Sequence, residues 1–171
     1  AIIVGIFTKI LWKYKIFRGW LVPFPNLNGT WIGEIHSDWI NPKNKKKIPP
    51  IPVMLTIDQS FFHINFMMTT EEMKSHSYVG GFKIDKENQI KQVAYLYTSK
   101  PRIVLNSRSL PSDGAIIFDI IEKPIMKLKG QYWTDRKTKG EIILSFNNKK
   151  IREEMPKSMG KHPVTEKIFR R

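Results

Sequence analysis

Eight short runs of alternating apolar and polar residues follow one another between residues 28 and 146, and they limit the possible folds more than any other feature of the chain. Side chains two residues apart on a β-strand share a face, so each run predicts a strand with one buried side. Short polar segments, such as 58–60, 85–89 and 134–139, separate several of these runs and suit hairpin turns. The eight runs occupy residues 31–39, 53–57, 62–68, 75–84, 90–98, 115–121, 126–133 and 140–146.

This pattern predicts an all-β fold, an eight-stranded antiparallel up-and-down β-barrel over residues 28–147. A barrel removes exposed strand edges by closing on itself, and a two-sheet sandwich is the alternative. Gly80 and Gly81 lie inside the fourth run, where they suit a bulge or a sharp bend. Two connections are longer, at 41–52 and 100–114, and we expect the second to fold over one mouth of the barrel.

The N-terminal region differs from the rest of the chain. Residues 1–7 are all apolar, and aromatic and basic side chains alternate over residues 12–20. This order is typical of a transmembrane helix that leaves the bilayer on its cytoplasmic side. Seven residues are fewer than the roughly 20 that span a bilayer, so residues 1–27 are predicted to be the end of a truncated anchor. The alternative is an amphipathic helix that closes the barrel or lies on the interface. Residues 148–171 form a basic tail, expected to be partly helical or loosely ordered.

Charge and composition narrow the range of functions. Lys and Arg number 29 against 15 Asp and Glu, and the net charge of +14 favours phosphates, nucleic acid or acidic lipid as partners. The absence of cysteine excludes disulfides and thiolate metal sites. The four histidines lack metal-ligand spacing, and no nucleophile elbow, Walker loop or dinucleotide fingerprint is present. We therefore predict neither an enzyme nor a metal site, and no cofactor.

Aromatic and arginine residues are interspersed through the second half of the barrel. Aromatic rings stack on nucleobases, and the guanidinium fork binds phosphate oxygens in pairs, so this combination favours a nucleotide over a fatty acid. Aromatic side chains that face the inside of a small barrel also form its core, so both roles stay open for each of them. The predicted ligand-binding residues are Tyr78, Tyr95, Tyr97, Arg102, Arg108, Trp133 and Arg136.

Gly29-Thr30-Trp31 opens the first strand, as the Gly-x-Trp motif does in lipocalin-like barrels. In those folds an arginine from the closing strand packs over the tryptophan, and Arg136 lies just before the last predicted strand. Two hypotheses therefore stand for Arg136, a contact with a ligand phosphate and closure of the barrel over Trp31.

Four segments together resemble a known family, the two-transmembrane, β-strand-rich effectors of bacterial CBASS anti-phage systems. They read GTWIGEIHSDW, AYLYTSKP, SLPSDGAIIFDI and KGQYWTDRKTKGEIIL, and the resemblance covers residues 28–146. It implies a receptor for cyclic dinucleotides, comparable in role to STING on a different fold, and no DNA or RNA partner. It also implies ligand-driven self-association, disruption of inner-membrane lipid and cell death, with the barrel facing the cytoplasm.

Two other functions remain as alternatives. A lipocalin-like carrier of a lipid predicts an apolar cavity with at most one arginine. A membrane-anchored adaptor predicts a barrel that its own side chains fill.

Overall fold

The eight predicted runs form eight β-strands in the computed structural model, which describes residues 2–41, 45–103 and 110–163. A short helix, α1 (Ile2–Lys9), and two 3-10 turns precede the strands, and a third 3-10 turn, Lys157–Met159, follows them. The strands are β1 (Gly29–Ser37), β2 (Ile51–Gln59), β3 (Ile64–Thr69), β4 (Met73–Asp85), β5 (Ile90–Pro101), β6 (Ser112–Ile121), β7 (Lys127–Thr134) and β8 (Lys139–Asn148).

The strands form a closed antiparallel barrel in chain order. Each strand pairs with the next, and β8 pairs with β1 to close the sheet. This confirms the predicted barrel and excludes the sandwich. The closing seam depends on Gly33, because a Cβ there would lie 1.9 Å from the backbone oxygen of Ile143.

The two ends of the barrel differ, and we call them the base and the mouth. The base is the end at which β1, β3, β5 and β7 begin, and the mouth is the end at which they finish. Trp31 lies near the base, fully buried, and its indole donates a hydrogen bond of 3.0 Å to the Leu27 carbonyl. Its ring also meets Phe146 edge to face at 5.3 Å. The core above it is formed by alternate residues of the strands, including Val53, Leu55, Phe66, Val93, Phe118, Leu128 and Leu144.

The segment before β1 packs against the base. Trp12 is buried, Phe7 meets Phe61 at 5.6 Å, and Phe24 stacks on Phe82 at 5.2 Å. The inner face of this segment therefore covers the base of the barrel, and the anchor expected for residues 1–27 stays a prediction. Helix α1 has eight residues. Among the residues that the structure describes, no helix is long and apolar enough to cross a membrane.

The tail after β8, which was expected to be partly helical or loosely ordered, is held against the barrel wall over residues 149–163, which we call the strap, and it contains the 3-10 turn Lys157–Met159. The hydroxyls of Thr30 and Thr56 donate to strap carbonyls at 2.6 and 2.7 Å. Near its end His162 Nδ1 lies 3.1 Å from a carboxylate oxygen of Glu72, and both side chains are largely buried. Residues 164–171 lie outside the described residues.

Strands β3 and β4 pair only next to the turn that joins them. The pairing joins Met67–Thr69 to Lys74–His76, and beyond that point the Phe66 amide donates to the Ser77 hydroxyl at 2.9 Å. The register of β4 against β5 shifts at Tyr78, which is a bulge two residues before the predicted glycine pair. The separation leaves a groove on the outside of the barrel.

Candidate functional site at the barrel mouth

The four aromatic residues predicted to bind ligand lie on opposite sides of the barrel wall. Tyr95 and Tyr97 face inward and are 3% and 7% exposed, whereas Tyr78 and Trp133 are 63% and 47% exposed on the outside. Tyr78 lies at the bulge, and Trp133 follows the inward-facing Tyr132 on a strand whose faces alternate. Tyr78 and Trp133 therefore cannot line a site inside the barrel, and any ligand contact that they make is on the outer wall.

Two tyrosine rings lie close to glycine backbone on the mouth side of the core. A Cβ at Gly114 would come within 2.6 Å of the Tyr97 ring, and one at Gly140 within 2.8 Å of the Tyr132 ring. Because glycine has no side chain, the Tyr97 and Tyr132 rings can occupy the space that a Cβ would fill. Tyr132 was not among the predicted site residues. Because neighbouring residues of a strand face opposite sides of the sheet, the sequence already places Tyr132 and Trp133 on opposite faces of β7.

Both of these phenols are neutral at physiological pH. Burial raises the pKa of Tyr97, and the nearby Tyr132 and Asp135 raise it further. Burial likewise raises the pKa of Tyr132, partly offset by a hydrogen bond with Ser37. A neutral phenol can donate its proton to a phosphate or base oxygen.

Small hydroxyl side chains lie beside Tyr97 toward the mouth. Ser99 is opposite both Ser75 and Ser112 on the neighbouring strands, and all three are buried. Gly114 on β6 lies opposite Tyr97 on β5 and opposite Thr134 on β7. Hydroxyl side chains take the place of large apolar ones here, so the interior is more polar toward the mouth than in the core.

Arg102 and Arg136 lie at the same end of the barrel. Arg102 follows β5, and its backbone amide donates to the Glu72 carbonyl at 2.9 Å. Arg136 lies in the turn between β7 and β8, with Nη1 donating to the Leu110 carbonyl at 3.2 Å. Both side chains are exposed. Arg108, the third predicted arginine, lies outside the described residues.

The hypothesis that Arg136 closes the barrel over Trp31 was wrong. Trp31 lies near the base, where β1 begins, and Arg136 lies in a mouth turn. Phe146 takes the place against the indole that the lipocalin analogy gives to an arginine.

Tyr95 lies deeper than Tyr97 and belongs mainly to the core. Its ring stacks on Phe66 with 4.1 Å between centroids, and burial raises its pKa well above the ordinary value. Its hydroxyl has no hydrogen-bond partner among the described residues. An unpartnered buried hydroxyl costs about 1–3 kcal/mol, which a bound water or ligand atom relieves.

The groove on the outer wall is a second possible binding place. Its volume is about 540 Å³, its walls carry charges of both signs, and part of the strap forms one side. It is lined by Thr56, Asp58, Asn65, Phe66, Met67, Lys74, His76, Ser77, Ile151 and Glu153. Within the described ranges no group of three or more His, Asp or Glu side chains is placed to hold a metal ion.

Comparison with known proteins identifies the family. The model of the family described as "Cap15, cyclic dinucleotide receptor domain" matches residues 22–145, which include all but the last three residues of the barrel. CD-NTase-associated protein 15 from Escherichia albertii is 28% identical over 139 residues, covering 80% of this chain and 67% of that protein. With a family match over well more than half of its length and the closed eight-stranded barrel, the chain belongs to the Cap15 cyclic dinucleotide receptor domain family.

Proposed function

We propose that this chain binds a cyclic dinucleotide at the mouth of its barrel. The observation that carries the proposal is the pair of neutral phenols, Tyr97 and Tyr132, beside small side chains at the end where Arg102 and Arg136 lie. The family to which the chain belongs is a receptor family for this class of ligand.

The chemistry of the mouth matches the ligand. A cyclic dinucleotide has two phosphates and two bases, and the arginine forks suit phosphate oxygens. Tyrosine rings can stack on bases, and the phenol protons can be donated to phosphate or base acceptors. Binding needs no bond to be broken, which agrees with a receptor rather than an enzyme.

The lipid-carrier alternative receives less support from the packing. The buried core includes Trp31, Leu55, Phe66, Tyr95 and Phe118, which fill the base side of the interior with side chains. A fatty-acid chain would have to displace this core, whereas a ligand at the mouth leaves it intact.

We further propose that ligand binding drives self-association, which leads to membrane disruption and cell death in phage defence. The outer wall supports this step. Val79, Leu96, Ala115 and Trp133 lie opposite one another on β4, β5, β6 and β7, and Val79, Leu96 and Trp133 are exposed large apolar residues. An apolar row on a surface that would otherwise be polar favours contact with a second copy of the chain. On this proposal, Trp133 serves assembly rather than ligand binding.

The proposed location is the inner membrane, with the barrel in the cytoplasm. The apolar, aromatic and basic order of residues 1–20 supports it, as does a ligand class that is made in the cytoplasm.

A thermal-shift panel tests the ligand class. The whole chain is heated with cyclic dinucleotides, their linear counterparts and fatty acids. The proposal predicts a rise in Tm with at least one cyclic dinucleotide, since a ligand that binds only the folded state stabilises it. A rise with fatty acids alone would support the lipid carrier instead.

A further inference from the structure

Exposed apolar side chains are concentrated at the base of the barrel. Trp20 is 73% exposed and Phe62 is 70% exposed, and Ile16 and Ile125 are also largely exposed. They come from three different parts of the sequence, the segment before β1, the β2–β3 turn and the β6–β7 turn. All three parts lie at the end of the barrel opposite the proposed nucleotide site.

Contacts across the base hold these parts together as one surface. The Lys86 ammonium, in the β4–β5 turn, donates to the Gly19 carbonyl at 2.5 Å. The Arg18 guanidinium lies 3.6 Å from Glu122, just after β6. Phe24, in the segment before β1, meets Phe61 of the β2–β3 turn at 5.7 Å. The segment that contains Trp20 is therefore tied to three of the base turns.

The charge around this apolar surface is basic. Lys13, Lys15, Lys86, Lys123 and Lys127 are exposed there. The acidic groups at the same end are fewer: Glu122 contacts both Arg18 and Lys91, and Asp85 and the exposed Glu87 lie at the β4–β5 turn. The surface thus combines aromatic and aliphatic side chains with a surplus of positive charge.

We infer that the base is a docking surface for an anionic lipid bilayer. Trp, Phe and Ile side chains insert at the boundary between headgroups and acyl chains, while lysines attract acidic headgroups. A second copy of the chain is a poorer occupant of this surface, because the base is basic on both copies, unlike the apolar row on the wall.

Docking by the base goes beyond attachment through the N-terminal segment. The barrel rests on the bilayer, and its mouth opens away from the lipid, into the solvent from which a nucleotide would arrive. The inference rests on the proposed membrane location. It does not depend on nucleotide binding.

The chain has no cysteine, so single labelling sites can be introduced cleanly. Phe62→Cys and Ile125→Cys place an environment-sensitive fluorophore at the base. Ile103→Cys, 87% exposed beside the mouth, is the matched control. Each labelled chain is mixed with vesicles of phosphatidylethanolamine and phosphatidylglycerol, some of them containing nitroxide-labelled lipid. We expect blue-shifted, lipid-quenched emission from both base labels and aqueous emission from the control.

Three results would overturn the inference. The chain could fail to sediment with these vesicles. The base labels could stay aqueous on a chain that does sediment, which would mean that helix α1 alone tethers it. The mouth label could enter the lipid, which would reverse the orientation. None of these readings uses a nucleotide, so they are separate from failure of the proposed ligand.

Charge variants provide a second measurement. Lys15→Gln and Lys123→Gln should each weaken binding to the anionic vesicles by roughly fivefold. Lys139→Gln, at the mouth end of the wall, should change it little. Equal effects at all three positions would indicate attraction by overall charge and contradict a specific base surface.

Discussion

At the scale of single residues, the mouth differs from the core because small residues replace large ones within a few positions. Gly114 and Ile116 are successive inward-facing positions of β6. The Ile116 side chain is fully buried, whereas Gly114 has no side chain and lies against the Tyr97 ring. A glycine there lets an aromatic ring lie against the backbone and keeps its hydroxyl near the mouth. The same arrangement recurs for Tyr132 over Gly140.

The first prediction concerns alkaline stability. Burial raises the pKa of Tyr97 in the folded state, so at alkaline pH the unfolded state loses this proton more readily. The free energy of unfolding is therefore unaffected by Tyr97 below about pH 10 and falls as pH rises above it, by up to about 1.4 kcal/mol per pH unit. Tyr97→Phe should reduce this loss in urea titrations between pH 9 and 11, as set by the ordinary tyrosine pKa of about 10. An unchanged alkaline slope would contradict the burial of this phenol.

The second prediction concerns Arg136. If its guanidinium binds a ligand phosphate, Arg136→Ala should weaken cyclic dinucleotide binding about ten- to hundredfold, because a charge-assisted hydrogen bond contributes roughly 1.5–3 kcal/mol. Arg136→Lys should also weaken it, since lysine lacks the planar fork. The Tm without ligand should change little, because Arg136 is exposed and distant from Trp31. A lower Tm with unchanged affinity would instead assign Arg136 a structural role.

At the scale of secondary-structure elements, the barrel has a tight seam and a loose one. Strands β1 and β8 pair over eight positions, whereas β3 and β4 pair over three. The tight seam brings backbones into direct contact at Gly33, and the loose one opens the outer groove.

The third prediction tests the tight seam with two glycines. Gly33→Ala should lower the free energy of unfolding by about 1–3 kcal/mol or more, since its Cβ would collide with the Ile143 carbonyl. Gly81→Ala is the matched control, because a Cβ there meets nothing within 4 Å. Denaturant unfolding of both variants measures the difference. Equal effects would contradict the close approach of β1 and β8.

The strands and their order could be predicted from the sequence because alternation with a period of two is a local signal. Every strand overlaps its predicted run, and eight sequential strands with mostly short connections favoured the closed barrel over the sandwich. The inward or outward direction of Tyr78 could not be predicted in this way, since a bulge changes the phase by one residue.

Long-range contacts could not be predicted from the sequence pattern either. The strap is held by hydrogen bonds between residues about 100 positions apart, such as those of Thr30 and Thr56, whereas composition indicated only a basic tail that is partly helical or loosely ordered. The pairing of Trp31 with Arg136 came from analogy and failed because the two residues lie at opposite ends. Tyr97, Arg102 and Arg136 do lie toward the mouth, whereas their contact with a ligand stays a prediction.

At the scale of the whole molecule, the proposed functions occupy three separate surfaces. The mouth is polar with two arginines, the base is apolar and basic, and one stretch of the wall is apolar. Because these surfaces do not overlap, we expect that lipid docking and self-association can each be removed while ligand binding is retained, whereas loss of ligand binding should also remove ligand-driven self-association.

The fourth prediction concerns self-association through the wall. Leu96→Lys together with Trp133→Lys should weaken ligand-driven association by at least about tenfold, because apolar area would be replaced by charge. Ile143→Lys, an exposed isoleucine on β8 outside the apolar row, is the control. Sedimentation velocity with and without cyclic dinucleotide provides the measurement. Loss of association in the control as well would show that added charge, not the row, is responsible.

The most direct test of the central claim is a calorimetric titration that locates the nucleotide site. A cyclic dinucleotide that stabilises the chain is titrated into the unmodified chain, the mouth variant Tyr97→Phe with Arg102→Ala, and the groove variant Lys74→Ala with His76→Ala. We predict at least about tenfold weaker binding for the mouth variant and unchanged binding for the groove variant. Full affinity in a folded mouth variant, with loss in the groove variant, would contradict the account and place the ligand on the outer wall.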